Sequence, residues 1–358
     1  MKPKVIYLFL ALFLLGCSKK ATGVDSGRAP DQRVPSLEGL PFKVTVVETP
    51  ETKEIKDIKD EAKALLTEKN YEKLDALAKR LRDSKETYAD GRWKLFYVYE
   101  GVGFPDEATD ADWEEHFAAL KSWVNARPDS MTARVAMAAN LYSFAWRARG
   151  GDYADKVSEA SWKLFFQRLN EAVNVLKASR TFKEQCPYWW SVLLRAELGL
   201  QTERAQYDAT FQAAIKAWPD FAPYYFYRAN YLLPRWNGTV GEWESDLQKS
   251  ADKITAKDGA VLYARVVWDM HQFVYSTNIF KEYKLSWDRV NEGLNLIEER
   301  FPNSLAVKNE GARLAVLARD QPSAKKYFDE TKGQVDMDCW QSQDDFIRFA
   351  DMVYGVSQ

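Results

Sequence analysis

The tetrapeptide Arg127-Pro128-Asp129-Ser130 marks a joint between two helical segments, and its pattern recurs twice further along the chain. Trp218-Pro219-Asp220-Phe221 and Phe301-Pro302-Asn303-Ser304 each follow one amphipathic segment and precede another. Proline stops the first helix, because the residue before a proline avoids the helical region of φ and ψ. Asp or Asn followed by Ser can then cap the next helix. The recurrence predicts a chain built from repeated helical units.

Helical periodicity dominates the sequence from Glu51 onward. One apolar stripe stands at positions i, i+3, i+4 and i+7 and consists of Phe211, Ala214, Ile215 and Trp218. Such stripes, separated by Gly and Pro, predict about fifteen helices and no alternating pattern typical of a sheet. A β-branched piece, Phe42–Val47, is the one candidate for a strand or an ordered extended arm. The sequence therefore predicts an all-α domain over residues 51–358.

The segment that begins at Leu305 resembles a tetratricopeptide repeat. With Leu305 as the first position, Ala312 falls at position 8, Ala324 at position 20 and Phe328 at position 24. The small residues let two antiparallel helices approach closely, and the phenyl ring fills the gap to the next pair. This resemblance implies an α-solenoid of stacked helix pairs with a continuous core and a concave groove.

The amino-terminal residues read as a targeting signal. Lys2 and Lys4 precede an unbroken apolar run, Val5–Leu15. A helix that spans a bilayer needs roughly 20 apolar residues, so the run fits a signal peptide better than a permanent anchor.

The end of this run resembles the lipobox of bacterial lipoproteins, in the sequence Leu14-Leu15-Gly16-Cys17. The resemblance implies that residues 1–16 are removed and that Cys17 is acylated, which would attach the protein to a membrane. An ordinary secretory signal with an incidental cysteine is the alternative. Ser18 resembles the default residue for outer-membrane sorting. We therefore expect a lipid-anchored protein of the cell envelope, at the periplasmic face of the outer membrane.

The segment between the signal and the helices is predicted to be a tether. Residues 17–50 combine the lipidated cysteine with scattered glycines and prolines among polar residues. A flexible chain of about 30 residues has a reach of roughly 30 Å, which would lift a domain off a lipid surface. The predicted organisation is a signal peptide at 1–16, a tether at 17–50 and a helical-repeat domain at 51–358.

Charge and cysteine usage exclude several classes of function. Removal of residues 1–16 leaves 48 Lys and Arg against 52 Asp and Glu, a formal charge of −4. Nucleic-acid binding needs a basic face, so we expect no nucleic-acid partner. Cys186 and Cys339 are far apart in sequence, and we expect free thiols rather than a disulfide. Because the chain has no CxxC motif and no Cys/His cluster, we expect no structural zinc and no cofactor.

The wider pattern resembles a bacterial family known as domain of unknown function 4034. The likeness rests on blocks between roughly residues 65 and 330, among them Tyr71–Ala78, Asp90–Leu95 and Leu233–Gly238. Its most specific part is the Pro-Arg-Trp-x-Gly pattern within the last block. The resemblance implies a repeat fold but no activity, because the family has none assigned.

Sequence motifs for catalysis are weak. His116 and His271 are the only histidines, and neither lies in an HExxH or GxSxG pattern. Adjacent carboxylates such as Glu114 and Glu115 point apart on a helix and cannot share a proton. An enzyme is therefore not favoured, although a carboxylate pair assembled from distant helices is left open.

Aromatic residues supply the candidate binding site. The chain has 13 Trp, 18 Tyr and 19 Phe. Two helices that would line the concave side of the solenoid are predicted to begin at Pro187 and Pro223. We expect Trp189 and the three tyrosines among the candidates to lie near one another and near Arg235, with some of these rings only partly buried and able to contact a partner. The alternative is packing between helices. The candidate partner-binding residues are Trp189, Tyr224, Tyr227, Tyr231, Arg235 and Trp236.

Two functions follow from these features. The first is a lipid-anchored envelope protein that binds another protein or a peptide, as a scaffold, an adaptor or an assembly factor. The alternative is a glycan-binding or glycan-hydrolysing protein with an aromatic-lined cleft. A hydrolase needs two carboxylates about 5–10 Å apart in a cleft, whereas a scaffold needs only a groove.

Replacement of Cys17 by serine tests the predicted anchor. Without the thiol no lipid can be attached, so Cys17→Ser should lose incorporation of labelled palmitate and should leave the membrane fraction. A variant that still labels and still sediments with membranes would show that the lipobox interpretation is wrong.

Overall fold

A computed structural model describes residues 39–88, 91–274 and 278–355, together with Leu37 and Ser276. The signal peptide and Cys17 lie outside these residues. Across the described ranges the chain forms sixteen helices and two short strands. In chain order the elements are β1 (Thr45–Val46), α1 (Pro50–Thr67), α2 (Tyr71–Ser84), α3 (Lys94–Gly101), α4 (Asp110–Ala126), α5 (Met131–Arg149), α6 (Glu159–Ser179), α7 (Pro187–Gly199), α8 (Arg204–Ala217), α9 (Pro223–Tyr231), α10 (Glu242–Ala251), α11 (Ala256–Phe273), α12 (Ile279–Glu282), α13 (Trp287–Arg300), α14 (Leu305–Ala318), α15 (Gln321–Thr331), β2 (Gln334–Val335) and α16 (Gln343–Tyr354).

The prediction of an all-α, helical-repeat fold is confirmed. The chain divides into two compact units, whose described parts are residues 54–247 and residues 39–53 with 248–355. The boundaries fall within α1 and α10. None of the helices in the described ranges has both the length and the apolar composition needed to cross a membrane.

The three proline joints share one backbone conformation. The residues before the prolines have nearly equal angles: φ −132° and ψ 69° at Arg127, φ −138° and ψ 74° at Trp218, and φ −136° and ψ 64° at Phe301. With ψ between 64° and 74°, each of these residues lies outside the helical region, which a following proline disfavours. At the first and third joints the serine hydroxyl caps the next helix, as expected. The second joint has Phe221 in place of serine, and α9 begins with Pro223 at its first turn instead.

In the first unit, α7 is the central helix and packs against α5, α6, α8 and α9. All of its residues except Trp190 are buried. The approach of α3 to α1 requires a glycine, because a Cβ on Gly101 would lie 2.5 Å from the carbonyl oxygen of Lys59. The first unit is therefore a set of closely packed helix layers around α7.

In the second unit, the closest helix pairs are α11 with α13 and α14 with α15. Ala312, Ala324 and Phe328, the residues that carry the tetratricopeptide resemblance, are all fully buried. Gly311 lets α15 approach α14, because a Cβ there would lie 2.8 Å from the ring of Tyr327. The small residues thus have the close-packing role expected of them.

The predicted extended arm contains a real but very short strand. Thr45 and Val46 pair in parallel with Gln334 and Val335. Phe42 packs its ring edge-on against Tyr354, with 5.7 Å between ring centroids. The last residues of the predicted tether are thus packed on the second unit. β2 was not predicted, because two residues give no period-2 pattern.

The cysteine prediction is confirmed for the two described residues. Cys186 and Cys339 are free thiols, and both are buried. The sulfur of Cys186 lies 3.2 Å from the hydroxyl oxygen of Tyr99. Both residues act as small core residues with a local hydrogen bond.

Two carboxyl groups from different helices meet at the surface of the second unit. Burial and the hydrogen bond and charge of Glu298 raise the pKa of Glu330 to about 7. Burial alone would raise the pKa of Glu298. Hydrogen bonds from Glu330 and Lys326 outweigh this effect, so the pKa of Glu298 is lowered. Lys326 Nζ lies 2.7 Å from Glu298 Oε2. Glu330 therefore stays protonated to a higher pH than an isolated carboxyl group, and Lys326 lies beside the carboxylate of Glu298.

This pair predicts a specific pH dependence of stability. Because the folded-state pKa of Glu330 lies above the ordinary value of 4.5 for a glutamate, the folded protein binds more protons than the unfolded chain between the two values. The stabilising contribution of the Glu330 carboxyl is complete below the pKa that it has in the unfolded chain, and it is lost as the pH rises through about 7. Glu330→Gln keeps a hydrogen-bond donor that cannot ionise. The variant should match the wild type near pH 4 and exceed it in free energy of unfolding near pH 8, as measured by urea denaturation at each pH.

The exposed residue Glu299 provides a control, since Glu299→Gln removes one carboxylate from α13, the helix that carries Glu298. The control should not change the shape of the curve of stability against pH. Equal slopes of stability against pH for Glu330→Gln and the wild type would contradict the raised pKa of Glu330.

Candidate binding site

Four of the six candidate residues are core residues. Trp189, Tyr224, Tyr227 and Tyr231 are each at most 5% exposed, so the expectation that some of these rings are only partly buried is wrong. The reason is that three of these side chains donate hydrogen bonds to backbone carbonyls inside the core. The Tyr224 hydroxyl donates to the carbonyl of Pro187 at 2.8 Å, the Tyr231 hydroxyl to that of Thr202 at 3.0 Å, and Trp189 Nε1 to that of Leu176 at 3.0 Å.

These contacts hold α9 against its neighbours. The Tyr231 ring stacks on Tyr207 of α8 at 3.6 Å between centroids, and the Tyr207 hydroxyl donates to the carbonyl of Tyr227 at 3.1 Å. An aromatic ring at a helical spacing can serve either packing or binding. Here the rings pack between helices. Direct contact with a partner stays a prediction for Arg235 and Trp236 only.

Arg235 and Trp236 lie in the corner between α9 and α10, and both are half-buried. The Trp236 ring meets Trp146 of α5 edge-on, with 6.4 Å between centroids. Its indole Nε1 is buried and has no hydrogen-bond partner anywhere in the described chain. An unpaired buried donor is costly, so Trp236 is held in this position at some expense of stability.

Two glycines shape this corner in different ways. Gly238 does not have a positive φ, and Gly241 does, at 79°. Gly238 is instead needed for close approach, because a Cβ there would lie 1.8 Å from the carbonyl oxygen of Leu232. The Glu242 carboxylate accepts a hydrogen bond from the Thr239 backbone N–H at 2.9 Å. The corner is therefore rigid, and it positions Trp236.

The central charge of the site is Arg195, a residue that the sequence analysis did not select. It is 8% exposed, and its Cζ atom lies 4.7 Å from the ring centroid of Tyr142, 5.3 Å from that of Tyr188 and 5.7 Å from that of Tyr227. Nη2 donates to the Tyr188 hydroxyl at 3.0 Å, and Nε donates to the Ser191 carbonyl at 3.3 Å. Each ring face near a guanidinium contributes about 0.5–2 kcal/mol.

No carboxylate balances this charge within the described residues. Two other buried arginines have carboxylate partners: Arg82 pairs with Glu184, and Arg228 pairs with Asp208 and with Asp246. The buried Arg149 instead donates to the backbone carbonyls of Gly150 and Asp152. Burial raises the pKa of Tyr142, Tyr188 and Tyr227. The three hydroxyls around Arg195 therefore stay protonated and neutral at physiological pH, and the guanidinium keeps a full positive charge.

Half-buried rings extend from this charge on both sides. Tyr142 and Trp146 lie one turn apart on α5, with 6.2 Å between ring centroids, and Phe96 of α3 meets Tyr188 at 5.4 Å. We call this set the aromatic row. Its members are Trp236, Trp146, Tyr142, Tyr188 and Phe96, with Arg195 between Tyr142 and Tyr188.

The two histidines serve packing. His116 Nε2 lies 3.0 Å from Asn140 Oδ1, its ring stacks on Phe104 at 4.5 Å, and burial lowers its pKa. His271 Nδ1 lies 3.1 Å from Glu310 Oε1, and both side chains are buried. Among the described residues, no three His, Cys, Asp or Glu side chains come together in a way that could hold a metal ion.

Comparison with known families gives one result. Residues 59–194 match the model of a family described as a domain of unknown function, DUF4034. The match runs from α1 into α7 and includes Tyr71–Ala78, so this stretch resembles that family. Leu233–Gly238 lies beyond the match, and the resemblance there stays a prediction. No curated protein matches the chain.

The burial of Tyr227 predicts a large effect on stability. Tyr227→Ala removes a fully packed ring and should cost about 3 kcal/mol or more in free energy of unfolding. Tyr225→Ala is the matched control on the same helix, because the Tyr225 ring is half-exposed, and it should cost clearly less. Thermal melting of both variants measures the difference. Equal losses would contradict the assignment of Tyr227 to the core.

Proposed function

We propose that the protein binds a peptide segment of a partner protein along the aromatic row, with Arg195 taking a carboxylate of that peptide. The observation that supports this is the positive charge of Arg195, which lacks a carboxylate partner among the described residues. Burial of a charge is costly unless it is paired and hydrogen-bonded. A carboxylate on the ligand would provide the pairing that Arg82 and Arg228 obtain within the chain.

The rings beside Arg195 favour an extended peptide over a small anion. Phe96 and Tyr142 offer half-exposed surface on the two sides of the charge, and Trp146 and Trp236 continue it. Apolar side chains flanking an acidic group would therefore match the row in both charge and polarity.

The location of this activity rests on the amino-terminal sequence. We propose that Cys17 carries a lipid and that the protein acts in the cell envelope, at the periplasmic face of the outer membrane. The support is the Leu14-Leu15-Gly16-Cys17 pattern after a short apolar run. The partner would then be another envelope protein, for which this protein acts as scaffold, adaptor or assembly factor.

Selection from a random peptide library tests the proposed function. The full-length chain is used as bait, and enriched peptides should carry Asp, Glu or a free terminal carboxylate beside apolar residues. Replacing that acid by its amide should weaken binding about tenfold or more, since hydrogen bonds to charged groups contribute about 1.5–3 kcal/mol. Binding constants are measured by fluorescence polarisation for each acid and amide pair.

Arg195→Gln should abolish the preference for the acid, and Arg195→Lys should restore part of it. Arg168→Gln is the matched control, because Arg168 also lies over a ring, 3.3 Å from the centroid of Phe144, but outside the row. Melting curves for each variant separate lost binding from lost folding. Equal peptide affinity of the wild type and of folded Arg195→Gln would contradict the proposal. Binding of neutral oligosaccharides, without binding of peptides, would favour the glycan alternative.

A further inference from the structure

The second unit contains a cavity of about 630 Å³. It lies between α12, the carboxyl end of α14 and α16, and Ser276 and Asn278 form a further side. Pockets that bind small molecules have volumes of about 300–1,000 Å³. The size fits a small ligand or the end of a chain, and it excludes a folded domain.

The charge of the cavity wall is positive. Four cationic side chains line it against two carboxylates, and these residues are Lys281, Arg313, Arg319, Arg348, Asp320 and Asp345. Asp345 pairs with Arg348, and Asp320 accepts hydrogen bonds from Trp287 Nε1 at 2.8 Å and from the Ser323 hydroxyl at 2.7 Å. Both carboxylates are therefore already engaged.

Two of the cations have no carboxylate partner in the described part of the chain. Lys281 and Arg319 are exposed, and neither forms an ion pair there. Arg313 donates through Nη1 to the carbonyl of Cys339 at 2.7 Å, which fixes its position. An anion entering the cavity would meet two unpaired cations and one fixed cation.

The remainder of the wall is apolar. Leu317 and Val353 are buried, Phe349 is half-buried, and Met352 has 60% of its surface exposed. A flexible, exposed methionine beside an aromatic ring provides an adaptable apolar contact. The wall therefore presents positive charge and apolar surface to the same ligand.

We propose that this cavity binds a carboxylate joined to an apolar group. The carboxylate would lie between Lys281 and Arg319, and the apolar part would contact Phe349 and Met352. A ligand with several negative charges is less suitable, because Asp320 and Asp345 would repel it. The same chemistry occurs in a free fatty acid and in the carboxyl terminus of an apolar peptide, and the experiment distinguishes the two sources.

Isothermal titration calorimetry on the full-length chain uses matched acid and amide probes. The first pair is decanoate and decanamide, and the second is acetyl-Leu-Val-Phe with a free or an amidated carboxyl terminus. In at least one pair the acid should bind about tenfold more tightly than the amide. Which pair shows this preference identifies the source of the carboxylate. Failure of both acids to bind saturably, or equal affinity of acid and amide, would overturn the proposal.

Variants locate the site. Lys281→Gln and Arg319→Gln should each weaken acid binding about five- to tenfold and leave amide binding unchanged. Lys332→Gln is the matched control for Arg319, because both are exposed cations at left-handed helix ends, with φ 52° and φ 64°, and Lys332 is outside the cavity wall. Equal affinity in the cavity variants and the control would overturn the proposed site. Because Arg195 lies in the other unit, Arg195→Gln should leave these affinities unchanged, so this proposal can fail independently of the proposed function.

Discussion

The buried charge of Arg195 constrains much of the first unit. A guanidinium removed from water without a carboxylate partner is costly, and here three tyrosine faces and two hydrogen bonds stabilise it. Those faces come from α5, α7 and α9, so the charge is tolerated only while these helices keep their places. The tyrosine contacts that hold α9 against its neighbours therefore also maintain the surroundings of Arg195. The same arrangement leaves the charge unneutralised and available to a ligand.

The helical architecture was predictable because its signals are local. A proline joint determines the conformation of the residue before it, and Arg127, Trp218 and Phe301 adopt nearly one geometry despite different neighbours. Small residues at the tetratricopeptide positions were likewise informative, since Ala312 and Ala324 have no room for a larger side chain. Each of these signals depends on a few adjacent residues or on a helical period.

The binding site was less predictable because it depends on contacts between distant helices. The sequence placed Tyr224, Tyr227 and Tyr231 on the correct helix, but ring spacing does not reveal which face meets a neighbour. Tyr142 and Trp146, one turn apart on α5, carried a signal of equal strength that was not used. Arg195 is one cation within an otherwise apolar helix, where solvation at the surface is the simpler expectation. The match to the family of unknown function ends at residue 194, so family likeness gives no expectation for Arg195 either.

The two proposed sites use opposite ways to recognise a carboxylate. Arg195 is desolvated and held rigidly, so salt screens its attraction for a buried carboxylate only weakly, and geometry decides which peptides fit. Lys281 and Arg319 are exposed, and interactions between exposed charges weaken beyond a Debye length of about 8 Å at physiological ionic strength. An exposed cation also keeps its own hydration, which lowers the gain from each ion pair. The second site therefore depends more on the apolar contacts of Phe349 and Met352 for affinity, whereas the first can obtain specificity from one charge.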